Sequence, residues 1–170
     1  MPRRFCFDAF SLTWVKALWA RFRSDRYLPA NRAQTHEAHA LTQGKVLIID
    51  DDPAVRNSLK FALEVEGFSV RAYQTGAELL QDADIPDDGC LVVDYKLQEM
   101  NGLDLLVELR RRKVDLPAIL ITTHPNAAVR DRAARAGVPL IEKPLLNDTL
   151  FQGIRSALAR HASRPWLNRS

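Results

Sequence analysis

Residues 45–56 read KVLIIDDDPAVR, and this stretch decides the class of fold. Four consecutive apolar residues, 46–49, lead directly into three carboxylates, Asp50, Asp51 and Asp52, and a proline follows them. A short apolar run without alternation is typical of a strand that is buried on both faces of a parallel sheet. Adjacent like charges repel, so the three carboxylates need a cation, protonation or solvent around them. Two interpretations follow: a solvated turn that caps the next helix, or a cation site.

The pairing of a short apolar run with a helical pattern recurs five times from Lys45 onward. The apolar runs, which predict strands, lie at 46–49, 68–73, 91–93, 118–121 and 138–141. The helical patterns lie at 54–65, 76–83, 103–112, 126–136 and 147–160. Gly67 and Gly137 stand where helices should end, and Asn126 and Asn147 where helices should begin. This order predicts an α/β fold with a doubly wound, five-stranded parallel sheet and helices on both of its faces.

Composition and charge separate an N-terminal segment, residues 1–44, from the rest of the chain. The 170 residues are 46% hydrophobic and 26% charged, which suits one globular domain with an appendage. Residues 1–44 carry seven Lys/Arg and three Asp/Glu, whereas the remaining residues carry 17 basic and 18 acidic side chains. The sequence pI of 9.1 therefore reflects the N-terminal segment, and we expect no direct binding of nucleic acid.

Residues 8–27 of the N-terminal segment have the pattern of an amphipathic helix. Phe10, Trp14, Leu18 and Phe22 recur at four-residue intervals among basic side chains, and a polar linker follows to residue 44. Such a helix packs on its own domain or on a partner; the alternative is a weak contact with a membrane surface, because aromatic and basic residues alternate in this way in interfacial helices. We expect a globular domain over residues 45–161 and a tail over 162–170.

The chain has no apolar run near the roughly 18 residues that a membrane span needs, and the N-terminal segment has no uninterrupted apolar region of a secretory signal. We therefore expect a cytoplasmic protein. Of the two cysteines, Cys90 opens an apolar run and is expected to be a small buried residue.

Polar side chains follow four of the five predicted strands. In a parallel sheet the carboxyl ends of the strands meet at one edge, where functional groups gather. The residues at these ends are Asp50, Asp51, Asp94, Thr122, Thr123 and Lys143. Carboxylate oxygens are ligands that Mg²⁺ prefers, and a carboxylate beside a bound metal can attack phosphorus. A hydroxyl and an ammonium group can hold the phosphoryl oxygens.

Four stretches, in this order and spacing, resemble the receiver domain of bacterial two-component response regulators. They are VLIIDDDPAVRNSL (46–59), LVVDYKLQEMNGLDLL (91–106), AILITT (118–123) and IEKPL (141–145). The resemblance covers residues 45–160 and is nearest to the stand-alone chemotaxis type and the nitrogen-fixation regulator type. It implies a flavodoxin-like fold with the strand order 2-1-3-4-5.

The resemblance also implies roles for the residues at the sheet edge. Asp94 would be the phosphoacceptor. Asp51 and Asp94 would bind Mg²⁺ through their side chains, Lys96 through its backbone carbonyl, and Asp50 mainly through water. Thr122 would contact the phosphoryl group and move on activation, and Lys143 would pair with that group.

Several positions depart from the usual pattern of the family or tune it. Leu140 stands at a switch position that is commonly Tyr or Phe, so an aromatic read-out is not expected. Thr123 replaces the usual Ala or Gly and is expected to narrow the entrance for the phosphoryl group. The resemblance also places Lys96 and His124 beside the path of the hydrolytic water, so they are expected to modulate dephosphorylation. The resemblance further implies a cis bond between Lys143 and Pro144, and Asp52 is expected to cap the first helix.

These features predict a stand-alone response regulator in a phosphorelay. It would take a phosphoryl group from a histidine kinase or a phosphotransfer protein and signal through protein contacts, because ten residues after the last helix leave no room for a DNA-binding output domain. Beyond its own phosphorylation and dephosphorylation we expect no enzymatic activity. One alternative is a degenerate receiver that acts as a docking module. The other is a haloacid dehalogenase-type phosphatase, which expects a threonine after its DxD motif that DDDPA does not supply.

Overall fold

A computed structural model of the chain describes residues 43–145 and 148–163. The predicted N-terminal helix, most of its linker, the cap at Asn147 and nearly all of the tail lie outside the described residues. The described residues therefore correspond to the globular domain that the sequence predicts from residue 45 onward.

Strands and helices alternate along the described chain, as predicted. The strands are β1 (Lys45–Ile49), β2 (Ser69–Tyr73), β3 (Cys90–Asp94), β4 (Ala118–Thr122) and β5 (Leu140–Glu142). The helices are α1 (Pro53–Val65), α2 (Gly76–Gln81), α3 (Gly102–Arg111), α4 (Ala127–Arg135) and α5 (Thr149–Ala162). Among these described helices, none is long and apolar enough to cross a membrane.

All strand pairs of the sheet are parallel, and the strand order is β2-β1-β3-β4-β5. This confirms the predicted doubly wound fold and its order. Every residue of β3 and β4 is buried, which explains why their sequences do not alternate. One face of the sheet packs through residues such as Val46 and Ile154, and the opposite face through residues such as Leu47 and Leu105. The free thiol of Cys90 is buried at the start of β3, as expected.

Side-chain caps fix the start of the helices next to the strand ends. The Asp52 carboxylate accepts hydrogen bonds from the backbone N–H groups of Ala54 and Val55, so Asp52 is the predicted cap of α1. The side-chain oxygens of Asn101 and Asn126 cap α3 and α4 in the same way. Helices α1 and α4 therefore begin within a few residues of the ends of β1 and β4, where polar side chains of the site lie.

Candidate functional site

The carboxyl edge of the sheet brings together five of the six polar residues that the sequence predicts there, and the sixth, Thr123, follows the end of β4. Asp94 and Thr122 are the last residues of β3 and β4. Asp50 and Asp51 follow β1 directly, and Lys143 follows β5 directly. Asp50, Asp94, Thr122 and Lys143 are buried, whereas Asp51 is partly exposed. Four buried polar side chains at one edge of the sheet form the candidate site.

Three carboxylates form the acidic part of this site. One carboxylate oxygen from each of Asp50, Asp51 and Asp94 lies within 4.8 Å of the others. Such a set of hard oxygen donors fits Mg²⁺, which binds carboxylates and keeps several waters. The partial exposure of Asp51 leaves this cluster open toward solvent on one side.

The ammonium group of Lys143 lies between two of the carboxylates. Its Nζ atom donates to Asp50 Oδ2 at 2.9 Å and lies 3.4 Å from Asp94 Oδ1. A buried charge is tolerated only when it is paired, and here one cation offsets part of the charge of two anions. The peptide bond between Lys143 and Pro144 is cis, as the resemblance implies.

Burial dominates the titration of the two inner carboxyl groups. Burial raises the pKa of Asp94 to about 6; the nearby charge of Lys143 opposes this rise, and the charge of Asp50 adds to it. Burial likewise raises the pKa of Asp50 above its usual range, against the attraction of Lys143. In their ionised forms, the three carboxylates carry more negative charge than the single ammonium group of Lys143 balances.

Arg56 supports the acidic turn, a role that our sequence analysis did not predict. Its Nη1 atom donates to the backbone carbonyl of Asp50 at 2.7 Å. The Asp50 carboxylate also accepts from the backbone N–H of Asp52 at 3.0 Å, and the Asp50 N–H donates to the Tyr73 carbonyl. The only sequence signal for Arg56 is a basic residue in the first turn of the helix that follows the three carboxylates.

Gly102 allows α3 to begin directly against the end of β3, which the sequence analysis also missed. A Cβ atom at Gly102 would lie 2.6 Å from the backbone oxygen of Asp94 and 2.9 Å from Val93 Cγ1. The Gly102 N–H donates to the Tyr95 carbonyl at 2.9 Å. A glycine immediately after a capping asparagine was the available signal, since only a residue without a side chain fits this approach.

The predicted switch and modulator positions lie in β5 or directly after β3 and β4. Lys96, in the loop after β3, and His124, after β4, have exposed side chains, and His124 has a left-handed backbone with φ of 47°. Thr123 is partly buried between Thr122 and His124. Leu140 begins β5 and packs, partly buried, against the core.

Comparisons with known proteins agree with this geometry. A family model described as the response regulator receiver domain matches residues 46–155. The transcriptional regulatory protein FixJ of Rhizobium meliloti (strain 1021) is 36% identical over 118 residues, which make up 69% of this chain and 58% of FixJ. The chain thus spans little more than half the length of this curated relative.

Two solved structures have the same fold over the described domain. A CheY-like response regulator receiver domain protein from Methanospirillum hungatei JF-1 is 27% identical with a TM-score of 0.64, and the match covers 71% of this chain and 98% of that chain. Full-length FixJ from B. japonicum is 29% identical with a TM-score of 0.66, and the match covers 72% of this chain and 61% of that chain. The family match includes the whole edge from Asp50 to Lys143. The chain belongs to the response regulator receiver domain family.

Proposed function

We propose that the domain accepts a phosphoryl group on the carboxylate of Asp94, from the phosphohistidine of a histidine kinase or a phosphotransfer protein. One observation carries this proposal. A carboxylate oxygen of Asp94 lies within 4.8 Å of those of Asp50 and Asp51, while the Lys143 ammonium lies 3.4 Å from Asp94 on the same edge. A nucleophile, a cation site and a fixed positive charge are then adjacent.

The donor set supports Mg²⁺ as the cofactor. The side chains of Asp51 and Asp94 and the backbone carbonyl of Lys96 would hold the ion, and Asp50 would hold it mainly through water. One oxygen from each of the three carboxylates lies within 4.8 Å of the others. When bound, Mg²⁺ would neutralise the negative charge of the incoming phosphoryl oxygens, which would otherwise be repelled by the carboxylates of the site.

Asp94, Lys143, Thr122 and Arg56 have different roles in the proposed phosphoryl transfer. An Asp94 carboxylate oxygen attacks the phosphorus atom, the bond from phosphorus to the histidine nitrogen breaks, and the electron pair returns to the imidazole ring. The Lys143 ammonium and the Thr122 hydroxyl bind oxygens of the transferred group. Arg56 keeps the turn of Asp50 and Asp51 in place by its bond to the Asp50 carbonyl.

The output of the domain is proposed to be a set of protein contacts made by a receiver at residues 45–161, which a tail at 162–170 follows. FixJ is named a transcriptional regulator, but the match covers only 58% of it. The sequence from Lys45 onward has 17 basic and 18 acidic residues, so its overall charge does not favour nucleic acid. Phosphorylation would change the surface that a downstream protein reads.

The test is chemical phosphorylation read by mass spectrometry. The full chain is incubated with acetyl phosphate and MgCl₂, and the labelled residue is located by peptide mapping. Wild-type protein and Asp87→Asn, a control at an exposed carboxylate far from the site, should be labelled at Asp94. Asp94→Asn should not be labelled, because an amide is a far weaker nucleophile, and EDTA should stop the labelling.

Two results would contradict the proposal. Equal labelling of Asp94→Asn and wild type would show that another residue accepts the group. Wild-type protein that stays unlabelled with both acetyl phosphate and a phosphorylated phosphotransfer protein would favour the alternative of a receiver used only for docking.

A further inference from the structure

The loop between β3 and α3, residues 95–101, contains the backbone carbonyl of Lys96 that the proposed function assigns to Mg²⁺. The two ends of this loop lie together. Lys96 and Asn101 form an isolated antiparallel bridge. Next to that bridge, the Gly102 N–H donates to the Tyr95 carbonyl at 2.9 Å. The path of the backbone at Lys96 therefore depends on where Asn101 is held.

Asp104, in the first turn of α3, binds the side chain of Asn101 in two ways. The Asp104 N–H donates to Asn101 Oδ1 at 3.0 Å, and Asn101 Nδ2 donates to Asp104 Oδ2. Both polar ends of the Asn101 side chain are thus bound by one residue, in an arrangement similar to a capping box. The end of the loop and the first turn of α3 should therefore move together.

The other carboxylate oxygen of Asp104 binds a neighbouring helix. Asp104 Oδ1 accepts from Arg132 Nη2 of α4 at 2.9 Å, so the carboxylate has one partner on each oxygen. A carboxylate that is bound on both sides cannot rotate freely away from Asn101. The side chains of Asp104 and Arg132 are 54% and 43% exposed, so solvent weakens their attraction and the effect of the pair is modest.

Arg132 itself stands on a fixed part of α4. Its neighbour Ala133 is buried and belongs to the hydrophobic core on the same face of the sheet as Leu105 of α3. Helix α4 also bonds β5, through an ion pair of 2.8 Å between Arg130 Nη2 and Glu142 Oε2. The backbone that presents the Arg132 guanidinium to Asp104 is thus held independently of the loop.

We infer that Asp104 is a positioning residue for the Mg²⁺ site: together with Arg132 it holds Asn101, and through Asn101 the carbonyl of Lys96. This inference rests on the proposed function, because Lys96 matters here as a ligand of the cation. A ligand group that is already in place requires no ordering when the ion binds, so removing its support lowers the affinity. Because the ion pair is exposed, the loss of Mg²⁺ affinity should be about three-fold rather than complete.

Calorimetric titration of the metal-free full chain with MgCl₂ tests this inference. Asp104→Asn and Arg132→Gln should each raise the Kd for Mg²⁺ about three-fold. Their combination should raise it no more than Asp104→Asn alone, because both changes interrupt the same connection. Arg132→Lys keeps the positive charge and should restore most of the affinity.

Two matched controls lie one helical turn from the variants. Glu108→Gln removes a carboxylate of α3 whose ion pairs, with Arg111 and Arg112, stay within that part of the chain. Arg135→Gln removes an exposed arginine of α4. Both controls should keep the Kd of wild type, since neither residue contacts the connection from Arg132 to the loop.

Amide exchange in EDTA provides a second measurement that needs no metal. The Gly102 N–H closes the loop, so it should exchange faster in Arg132→Gln than in Arg135→Gln. The Leu91 N–H, which donates to the Pro117 carbonyl at 2.8 Å, should change less and so reports any loss of overall stability.

The outcomes separate the inference from the proposed function. Wild-type affinity in both Asp104→Asn and Arg132→Gln would overturn the inference, and so would equal losses in the two controls. Equal Gly102 exchange in Arg132→Gln and Arg135→Gln would also count against it, whatever the metal does. Wild-type protein that binds no Mg²⁺ would contradict the proposed function, and the inference with it.

Discussion

Asp94 is a carboxyl group whose ionisation is disfavoured by burial. Burial raises its pKa to about 6 from 3.8, so the metal-free folded state retains a proton that the unfolded chain releases. The stabilisation from this proton is complete below about pH 4 and is lost as the pH rises through about 6. Between these limits wild-type protein should lose at most about 3 kcal/mol of unfolding free energy relative to Asp94→Asn.

Urea denaturation in EDTA from pH 4 to pH 7 measures this difference. Asp87→Asn should run parallel to wild type, since this exposed carboxyl is remote from the site. Parallel curves for wild type and Asp94→Asn would mean that the carboxyl titrates alike in the folded and unfolded states.

Lys96 and His124 are expected to set the lifetime of the acyl phosphate. Both side chains are exposed at the ends of loops that adjoin the site, and neither has the carboxylate or amide that would orient a water. A long cation at Lys96 can attract phosphoryl oxygens while it displaces water from the attacking path. The double variant Lys96→Asn/His124→Glu should therefore lose its phosphoryl group faster, and a barrier lower by about 1.4 kcal/mol would give a tenfold change.

The decay of phosphorylated protein after removal of the phosphodonor gives this rate. Lys113→Asn, at an exposed lysine beyond the end of α3, serves as the control and should decay like wild type. A double variant that decays no faster than wild type would exclude shielding by these two side chains.

At the scale of elements, the close approach of α3 to β3 depends on Gly102. A methyl group there would meet the backbone oxygen of Asp94 at 2.6 Å, and a backbone atom cannot move aside alone. Gly102→Ala should therefore displace the start of α3 and cost about 1–3 kcal/mol of unfolding free energy. It should also slow the labelling of Asp94 by acetyl phosphate, because the oxygen in contact belongs to the same residue.

Gly153 in α5 provides a matched substitution. Its added methyl would meet Ile119 Cδ1 at 3.2 Å, the far end of a side chain that can rotate. Gly153→Ala should be neutral or stabilising by up to about 1 kcal/mol, since alanine favours a helix over glycine. Urea denaturation of both variants measures this difference. Equal losses of unfolding free energy in Gly102→Ala and Gly153→Ala would show that the backbone contact at Gly102 does not cause the destabilisation.

Element boundaries were predictable where burial marks them. The runs at 91–93 and 118–121 predicted β3 and β4 to within one or two residues, because these central strands are buried on both faces. The fifth run, 138–141, was predicted too early, since β5 is Leu140–Glu142. This edge strand is short and only partly buried, so hydrophobicity does not mark its start, and Pro139 before it contributes its carbonyl to Leu120 but has no N–H to donate.

The site was predictable in a similar, partial way. Residues at strand ends, such as Asp94 and Lys143, follow from the parallel topology alone. Arg56 and Gly102 do not, because their contacts with Asp50 and Asp94 depend on how a helix starts against the sheet. The hydrophobic pattern predicts where the helices lie along the chain, but it does not predict the distances between a helix start and the strand ends.

At the scale of the whole molecule, binding of a cation should raise the free energy of unfolding. A ligand that binds only the folded state stabilises it by about 2.7 kcal/mol at a concentration one hundred times its Kd. MgCl₂ should therefore raise the unfolding temperature of wild-type protein. Asp51→Ala should keep its fold, show a much smaller rise, and be as stable as wild type or more stable in EDTA, because one of three crowded charges is gone. Thermal unfolding with and without MgCl₂ measures this, and equal shifts in both proteins would remove Asp51 from the cation site.

Thr122 and Lys143 lie at the same edge of the sheet, and a backbone hydrogen bond joins them. The Lys143 N–H donates to the Thr122 carbonyl at 2.8 Å, and Leu145, two residues further on, belongs to the core beneath α5. Because this hydrogen bond joins the ends of β4 and β5, a displacement of one strand end should also displace the other. A ligand that binds both the hydroxyl and the ammonium would therefore act on the ends of β4 and β5 together, because the hydrogen bond between the two backbones fixes their spacing.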